Sequence, residues 1–94
     1  MSLELLKSPG RLYLDDDAGN TIAEITWEET GPGPDGRPLC CIDHTYVDDS
    51  LRGQGIAGQL VQAAVDEIRA AGAVPEATCS YAVVWLEKHP EALR

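Results

Sequence analysis

The chain has 94 residues, room for one domain over residues 1–94, and carries seven Lys and Arg against sixteen Asp and Glu, a net charge of −9. A surface that negative repels phosphate backbones and anionic lipid heads, so neither nucleic acid nor a membrane is an expected partner. Hydrophobic residues at 44%, with two Trp and three Tyr, exclude disorder and suffice for a thin core.

The start, Met1 to Lys7, lacks a basic n-region and a long apolar h-region, so no signal peptide is read there. Arg11 to Leu14 reads as a short strand, and Asp15-Asp16-Asp17-Ala18-Gly19-Asn20 as its turn. Thr21 to Glu28 then alternates, with Ala23, Ile25 and Trp27 on one face and Glu24, Thr26 and Glu28 on the other. That is the pattern of a half-buried antiparallel strand. Gly31 to Pro38 reads as a loop whose prolines keep it from pairing. Leu39 to Val47 is the third strand, with Leu39, Cys41 and Val47 on one side and Cys40, Ile42 and Tyr46 on the other. A strand apolar on both faces is expected to be central and covered twice.

From Gln54 the period changes. Ile56, Ala57, Leu60, Val61, Ala64, Val65 and Ile68 recur at three and four, predicting an amphipathic helix that ends at Gly72. Val74 to Cys79 reads as a fourth strand despite Pro75. Ser80 to His89 reads as a second helix stopped by Pro90, with Tyr81, Val84, Trp85 and Lys88 on one face and Trp85 as the anchor. The fold class is therefore α+β: a three-stranded antiparallel meander, a helix, a fourth strand parallel to the third, and a C-terminal helix. The parallel step follows because a strand, a helix and a further strand make a crossover. The apolar runs, such as Tyr81 to Leu86, are too short to span a bilayer.

The informative segment is Asp48-Asp49-Ser50-Leu51-Arg52-Gly53-Gln54-Gly55-Ile56-Ala57-Gly58, between the third strand and the long helix. Gly53 and Gly55 let the backbone turn sharply and present N–H groups with no side chain in the way. The first helical N–H groups have no internal partner, and the helix dipole adds about half a positive charge there. Together they suit phosphate oxygens, and Arg52 supplies a cation at the same place. Two other readings stand beside this one. Gly53 to Gly58 satisfies the dinucleotide pattern G-x-G-x-x-G, with Glu76 at about the ribose distance of 20 residues, but Asp48 to Arg52 intervene between strand and glycines. A glycine-rich helix entry that binds nothing is the other, against which stands Gly58, a glycine inside a helix where alanine is about 1 kcal/mol better. A Walker loop is excluded, since no Lys-Ser or Lys-Thr follows the glycines.

Arg52-Gly53-Gln54-Gly55-Ile56-Ala57 resembles the R/Q-x-x-G-x-G/A acyl-CoA loop of the GNAT acetyltransferase superfamily. Ile42-Asp43-His44-Thr45-Tyr46-Val47 before it, with Cys79-Ser80-Tyr81, Trp85 and His89-Pro90-Glu91 after it, resembles the short one-domain branch of that superfamily over about residues 11 to 91. The chain departs from that branch at Ala77 and Ser80, where relatives often carry Pro, and at Ala92, where an aromatic is common. The resemblance implies acetyl-CoA as cofactor and an amine, small molecule or protein, as acceptor. It implies a diphosphate held by the amides of Arg52, Gly53, Gln54, Gly55, Ile56 and Ala57, and a pantetheine arm along the strand near Val47, in a gap walled by the fourth strand and Tyr81. It further implies an N-acetyltransferase, expected as a monomer or weak dimer; cytoplasmic residence is the default expectation for a chain with three free thiols and no signal peptide. A non-catalytic acyl-CoA-binding module is the alternative.

Acetyl transfer to an amine requires deprotonating the amine, polarising the thioester and stabilising the departing thiolate. Cys79, where a strand yields to a helix, is the first candidate: a thiol at a helix N-terminus has its thiolate favoured by the dipole. The same cysteine also reads as a small buried hydrophobe. His44 is the second candidate, sharing a face with Ile42 and Tyr46 and able to take a proton near neutral pH. Ser80 and Tyr81 are alternative acids, and Glu24 and Glu28 on the second strand could draw in a cationic amine or simply be a solvated face. No metal site is expected: Cys40 and Cys41 are adjacent on a strand and point apart, and Gly19 falls where a calcium loop needs a ligand. Three cysteines, an odd number, make no disulfide framework, so the thiols are expected free.

Overall fold

The computed structural model describes residues 5–93; residues 1–4, part of the segment read for a signal peptide, lie outside the described residues. Among the described residues one sheet in the order β1-β2-β3-β4-β5 carries two α-helices. Its strands are β1 (Leu6–Ser8), β2 (Arg11–Asp15), β3 (Thr21–Pro32), β4 (Pro38–Val47) and β5 (Val74–Ala77). Helix α1 (Ile56–Ala70) connects β4 to β5, and α2 (Ser80–Lys88) follows β5. The first four strands pair antiparallel and β4 pairs with β5 parallel, as a helical crossover requires. Among the described residues no helix is long and apolar enough to cross a membrane.

The core lies between the sheet and the helices. Ile56, Leu60, Val61, Ala64, Val65 and Ile68 of α1 bury their side chains against Leu12, Ala23, Ile25 and Ile42 of the strands. Each large apolar group so buried contributes about 1.5–3 kcal/mol. Helix α1 begins two residues after Gln54 and stops as its sequence dictates. Gly72 takes φ +80°, its N–H donates to the Arg69 carbonyl at 3.0 Å, and the Ala73 N–H donates to the Ile68 carbonyl at 3.1 Å. These two bonds satisfy carbonyls that the helix end would otherwise orphan.

The structure departs from the sequence reading in five places. First, β1 is a fifth strand, turned back onto β2 by Pro9-Gly10. Second, β3 runs on through Gly31 and Pro32, which pair with Leu39 and Pro38, so the proline-rich stretch pairs rather than loops. Pairing of β2 to β3 ends at Thr26, so the later part of β3 has an open edge where proline costs no ladder bond.

Third, β4 carries a bulge. Thr26 pairs with His44 and Trp27 with Ile42, leaving Asp43 as the extra residue. The bulge exchanges faces beyond it. Cys40, Ile42 and Val47 pack toward the helices, while Cys41 shares the opposite face with His44 and Tyr46. His44 and Tyr46 are exposed, so that face is open rather than covered. Fourth, β5 ends at Ala77, two residues short of Cys79, because past the bulge β4 turns away from it. The N–H groups of Thr78 and Cys79 both donate to the Ile42 carbonyl, at 3.0 and 3.3 Å. Pro75 fits β5 because alternate residues face β4 and its own nitrogen faces the sheet edge. Fifth, α2 buries Ala82 and Leu86, whereas Tyr81 and Val84 are exposed and Trp85 is half-buried. Apolar residues surround this helix on several sides, so its sequence does not single out the face.

Candidate functional site

Strand β4 delivers the chain to the site. The Asp48 N–H still donates to the Ile22 carbonyl of β3 at 2.8 Å. Because hydrogen bonds alternate along a strand, the main-chain groups of Thr45 and Val47 face away from β3. They face the gap that opens where β5 has ended.

After β4 the chain makes a 3-10 turn over Asp49–Leu51. The Asp48 carboxylate caps it, accepting from the Ser50 N–H at 3.0 Å, the Ser50 hydroxyl at 2.6 Å and the Tyr46 hydroxyl at 3.2 Å. The Ser50 side chain and amide and then the Tyr46 hydroxyl hold that carboxyl below its ordinary pKa. This turn, interposed between strand and glycines, removes the dinucleotide reading, whose fingerprint turns straight out of its strand. The Thr30 hydroxyl donates to Glu76, the residue that reading would have needed, at 2.9 Å.

Gly53 and Gly55 then take φ +82° and +72°, in the left-handed region that favours glycine. Gly55 is the N-cap of α1 and offers no side chain to cap it. The Gln59 N–H to Gly55 carbonyl bond, at 3.2 Å, is the first of the helix, so the amides of Ile56, Ala57 and Gly58 have no partner one turn back. A Cβ placed at either Gly53 or Gly55 would meet nothing within 4 Å. The glycines are therefore required by backbone conformation, and the space in front of them is open.

These elements enclose a cleft of about 400 Å³, lined by Thr45, Val47, Leu51, Arg52, Gly53, Gly55, Ile56, Ala57 and Tyr81. Seven of these residues belong to the set singled out from the sequence. Of that set, Gln54 is exposed and does not line the cleft, while Thr45 and Leu51 were not anticipated. The Arg52 guanidinium pairs with Asp49 at 2.9 Å, with both side chains largely in water, a pairing of little energetic weight. Tyr81 reaches across from α2. A Cβ built on Gly58 would lie 3.5 Å from its hydroxyl, an ordinary contact, so the close approach expected at Gly58 leaves room for a methyl group. Gly58→Ala is therefore expected to stabilise the fold by about 1 kcal/mol, raising the melting temperature by roughly 4–8 °C in a calorimetric scan.

Cys79 is the N-cap of α2 and stands behind Thr45, its thiol donating to the Thr45 hydroxyl oxygen at 3.5 Å. Burial alone would raise this thiol. Once the thiol ionises the Thr45 hydroxyl turns from acceptor to donor, and hydrogen bonds to the sulfur from it and from the amides of Ala82, Tyr81 and Thr45 outweigh burial and leave the pKa below the ordinary cysteine value. Cys40 differs: burial, with the nearby Glu29 charge, pushes its thiol up. All three cysteines are free thiols.

His44 is not brought to Cys79. The bulge at Asp43 places it on the open face of the sheet, opposite Ile42 and with Tyr46 alone of the two neighbours expected beside it. There its Nε2 lies 3.7 Å from Glu24 Oε1, and Glu24 is in turn paired to Arg11, whose guanidinium lies 3.8 Å over the Tyr13 ring. Glu24 is thus tied into a polar cluster, whereas Glu28 is exposed.

A family model described as GCN5-related N-acetyl-transferase matches residues 11–94. The chain belongs to that family. A GCN5-like protein of Staphylococcus aureus, solved by NMR, is 34% identical to this GNAT chain with a TM-score of 0.71, the match covering 96% of this chain and 83% of that one. A ribosomal-protein-alanine N-acetyltransferase from Brucella melitensis is 27% identical over 73% of this chain and 50% of its own, with a TM-score of 0.57. A GNAT family N-acetyltransferase from Escherichia coli in complex with CoA is 27% identical over 67% of this chain and 35% of its own, with a TM-score of 0.58. The GNAT chain thus spans half or less of these two larger proteins. No curated protein matches it. The mixed five-stranded sheet with its parallel β4–β5 step and two helices is the GNAT fold.

Proposed function

We propose that this protein is an acetyl-CoA-dependent N-acetyltransferase acting on an amine. The observation that carries the reading is the cleft where β4 parts from β5, headed by unpartnered amides at the mouth of α1. The amides of Gly53 to Ala57, with Arg52 at the rim, receive the diphosphate; negative charge is favoured there by the helix dipole. The main-chain groups of Thr45 and Val47 offer the pantetheine amides the pairing that β5 no longer takes. Bound acetyl-CoA supplies an activated acetyl thioester.

The protein's own groups then have three tasks. The Thr45 N–H, which faces the gap, leaves the Cys79 sulfur for the thioester carbonyl when the coenzyme binds and polarises it. Tyr81, at the cleft wall, and Cys79, behind Thr45, are the proton donors to the departing sulfur; in the alternative route the Cys79 thiolate is the nucleophile that takes the acetyl group before the amine does. His44 takes the proton of an amine that arrives from the open face of the sheet, with Glu24 beside it. In direct transfer a nitrogen–carbonyl bond forms as the carbonyl–sulfur bond breaks. The amine proton goes to His44 and the thiolate receives one from Tyr81 or Cys79.

Two measurements test this. Calorimetry with acetyl-CoA should show saturable one-to-one binding to the wild-type chain. Turnover across a panel of small amines and lysine peptides should then fall at least about 100-fold in Cys79→Ala, within the range general acid–base or nucleophilic groups supply. Binding without turnover on any acceptor would favour the acyl-CoA-binding module. Absence of binding would remove both readings.

A further inference from the structure

We infer that Thr45 is a positioning residue whose hydroxyl holds the Cys79 sulfur in place by a hydrogen bond, directly behind the cleft wall that Thr45 itself forms. This assignment rests on the reading in which Cys79 serves acetyl transfer. Thr45 lines the cleft, and Cys79 meets it at 3.5 Å across the gap between β4 and the start of α2. No residue type or spacing in the sequence marks this pair, which are separated by 34 positions along the chain.

The bulge at Asp43 creates the pair. In an unbroken strand, Thr45 would share a face with Cys41 and point to the open side of the sheet. The extra residue shifts the register so that Thr45 pairs with Ile25, a core residue, and its side chain turns to the helix side, where Cys79 lies. The same residue therefore presents a hydroxyl to the thiol and a main-chain amide to the gap. A β-branched side chain has restricted χ1 freedom, so the hydroxyl holds its direction.

The groups that favour the Cys79 thiolate are hydrogen-bond donors, the Thr45 hydroxyl first and then the amides of Ala82, Tyr81 and Thr45. On α2 the titratable neighbour of Cys79 is Tyr81, at the cleft wall. On β4, Cys41 and His44 face the other side of the sheet, and Cys41 gives its thiol to the Thr78 hydroxyl at 3.8 Å. The nearest cation of the cleft, Arg52, sits at its rim in a pair with Asp49. The lowered pKa of Cys79 accords with this arrangement, the Thr45 hydroxyl being the leading contact that favours the thiolate.

The test uses the intact chain and an uncharged alkylating agent, iodoacetamide, with the Cys79-containing peptide followed by mass spectrometry across pH. Thr45→Val keeps the β-branch and removes the hydroxyl. It should move the alkylation midpoint of Cys79 upward by about one pH unit, slowing the reaction about tenfold at neutral pH. Thr45→Ser should restore the wild-type midpoint. Acetyl transfer by Thr45→Val should lose kcat with little change in KM, most at low pH. An unmoved midpoint in a folded Thr45→Val protein overturns the assignment, and so does an equal shift in Thr45→Ser. The alkylation readout needs no coenzyme, so it fails or succeeds separately from the acetyl-CoA reading.

Discussion

Gly55→Val should weaken coenzyme A binding by at least about 100-fold, which is about 2.7 kcal/mol, while the chain still folds. Gly55 sits at φ +72° as the N-cap of α1, a conformation in which a β-branched residue is a genuine outlier. Valine there has two options. It keeps the left-handed backbone at a cost of about 1–2 kcal/mol, with its side chain projecting into the open space in front of the amides. Otherwise it relaxes to negative φ and turns the N–H groups of Ile56 and Ala57 off the cleft. Either outcome removes two or more hydrogen bonds to a charged oxygen, each worth about 1.5–3 kcal/mol. The measurement is calorimetry with coenzyme A on wild type, Gly55→Ala and Gly55→Val, beside melting curves for each. Gly55→Ala should fall between the other two, because its methyl is smaller while its backbone strain is similar. Wild-type affinity in Gly55→Val would remove the diphosphate from this corner and the proposed cofactor with it.

How far the sequence speaks for itself depends on whether the deciding interaction is local. The glycine turn was legible because a backbone that must adopt positive φ next to an amphipathic helix leaves its mark at adjacent positions, Gly53, Gly55 and the run from Ile56. The buried face of α1 was legible for the same reason, since one helix against one sheet gives a clean period. The bulge at Asp43 was not legible. Nothing in Ile42-Asp43-His44 differs from ordinary alternation, and the extra residue is defined only by what Thr26 and Trp27 pair with across the sheet. That one irregularity sends His44 to the open face, brings Thr45 to Cys79 and ends the pairing to β5. The surroundings of the residues proposed for catalysis were therefore the part hidden, although Cys79 and Tyr81 themselves stood out. The pairing of Pro32 with Pro38 was hidden for a related reason. Proline forbids one specific hydrogen bond, and whether that bond is needed depends on which edge of the strand is open.

Gly10→Ala is expected to destabilise the fold by about 3 kcal/mol or more, a large part of the roughly 5–15 kcal/mol that holds a typical domain together. Two costs combine. Gly10 turns β1 into β2 at φ +70°, where alanine costs about 1–2 kcal/mol. An added Cβ would also lie 2.7 Å from the carbonyl oxygen of Trp27, a backbone atom that has no rotamer by which to withdraw. The Gly10 carbonyl accepts the Trp27 N–H at 2.9 Å, so separating the two segments breaks this bond and leaves a donor beside the core unsatisfied, at about 1–3 kcal/mol. The melting temperature should fall by more than about 10 °C. Gly36→Ala is the matched control, since Gly36 has φ +87° and open space around it, so that alanine meets strain without collision. A loss in Gly36→Ala equal to that in Gly10→Ala would show that the contact with Trp27 counts for nothing. The larger loss in Gly10→Ala should extend to the site, because Trp27 pairs with Ile42 at the edge of the bulge that aims Thr45. Well below its melting temperature, Gly10→Ala should therefore bind coenzyme A more weakly than Gly36→Ala does.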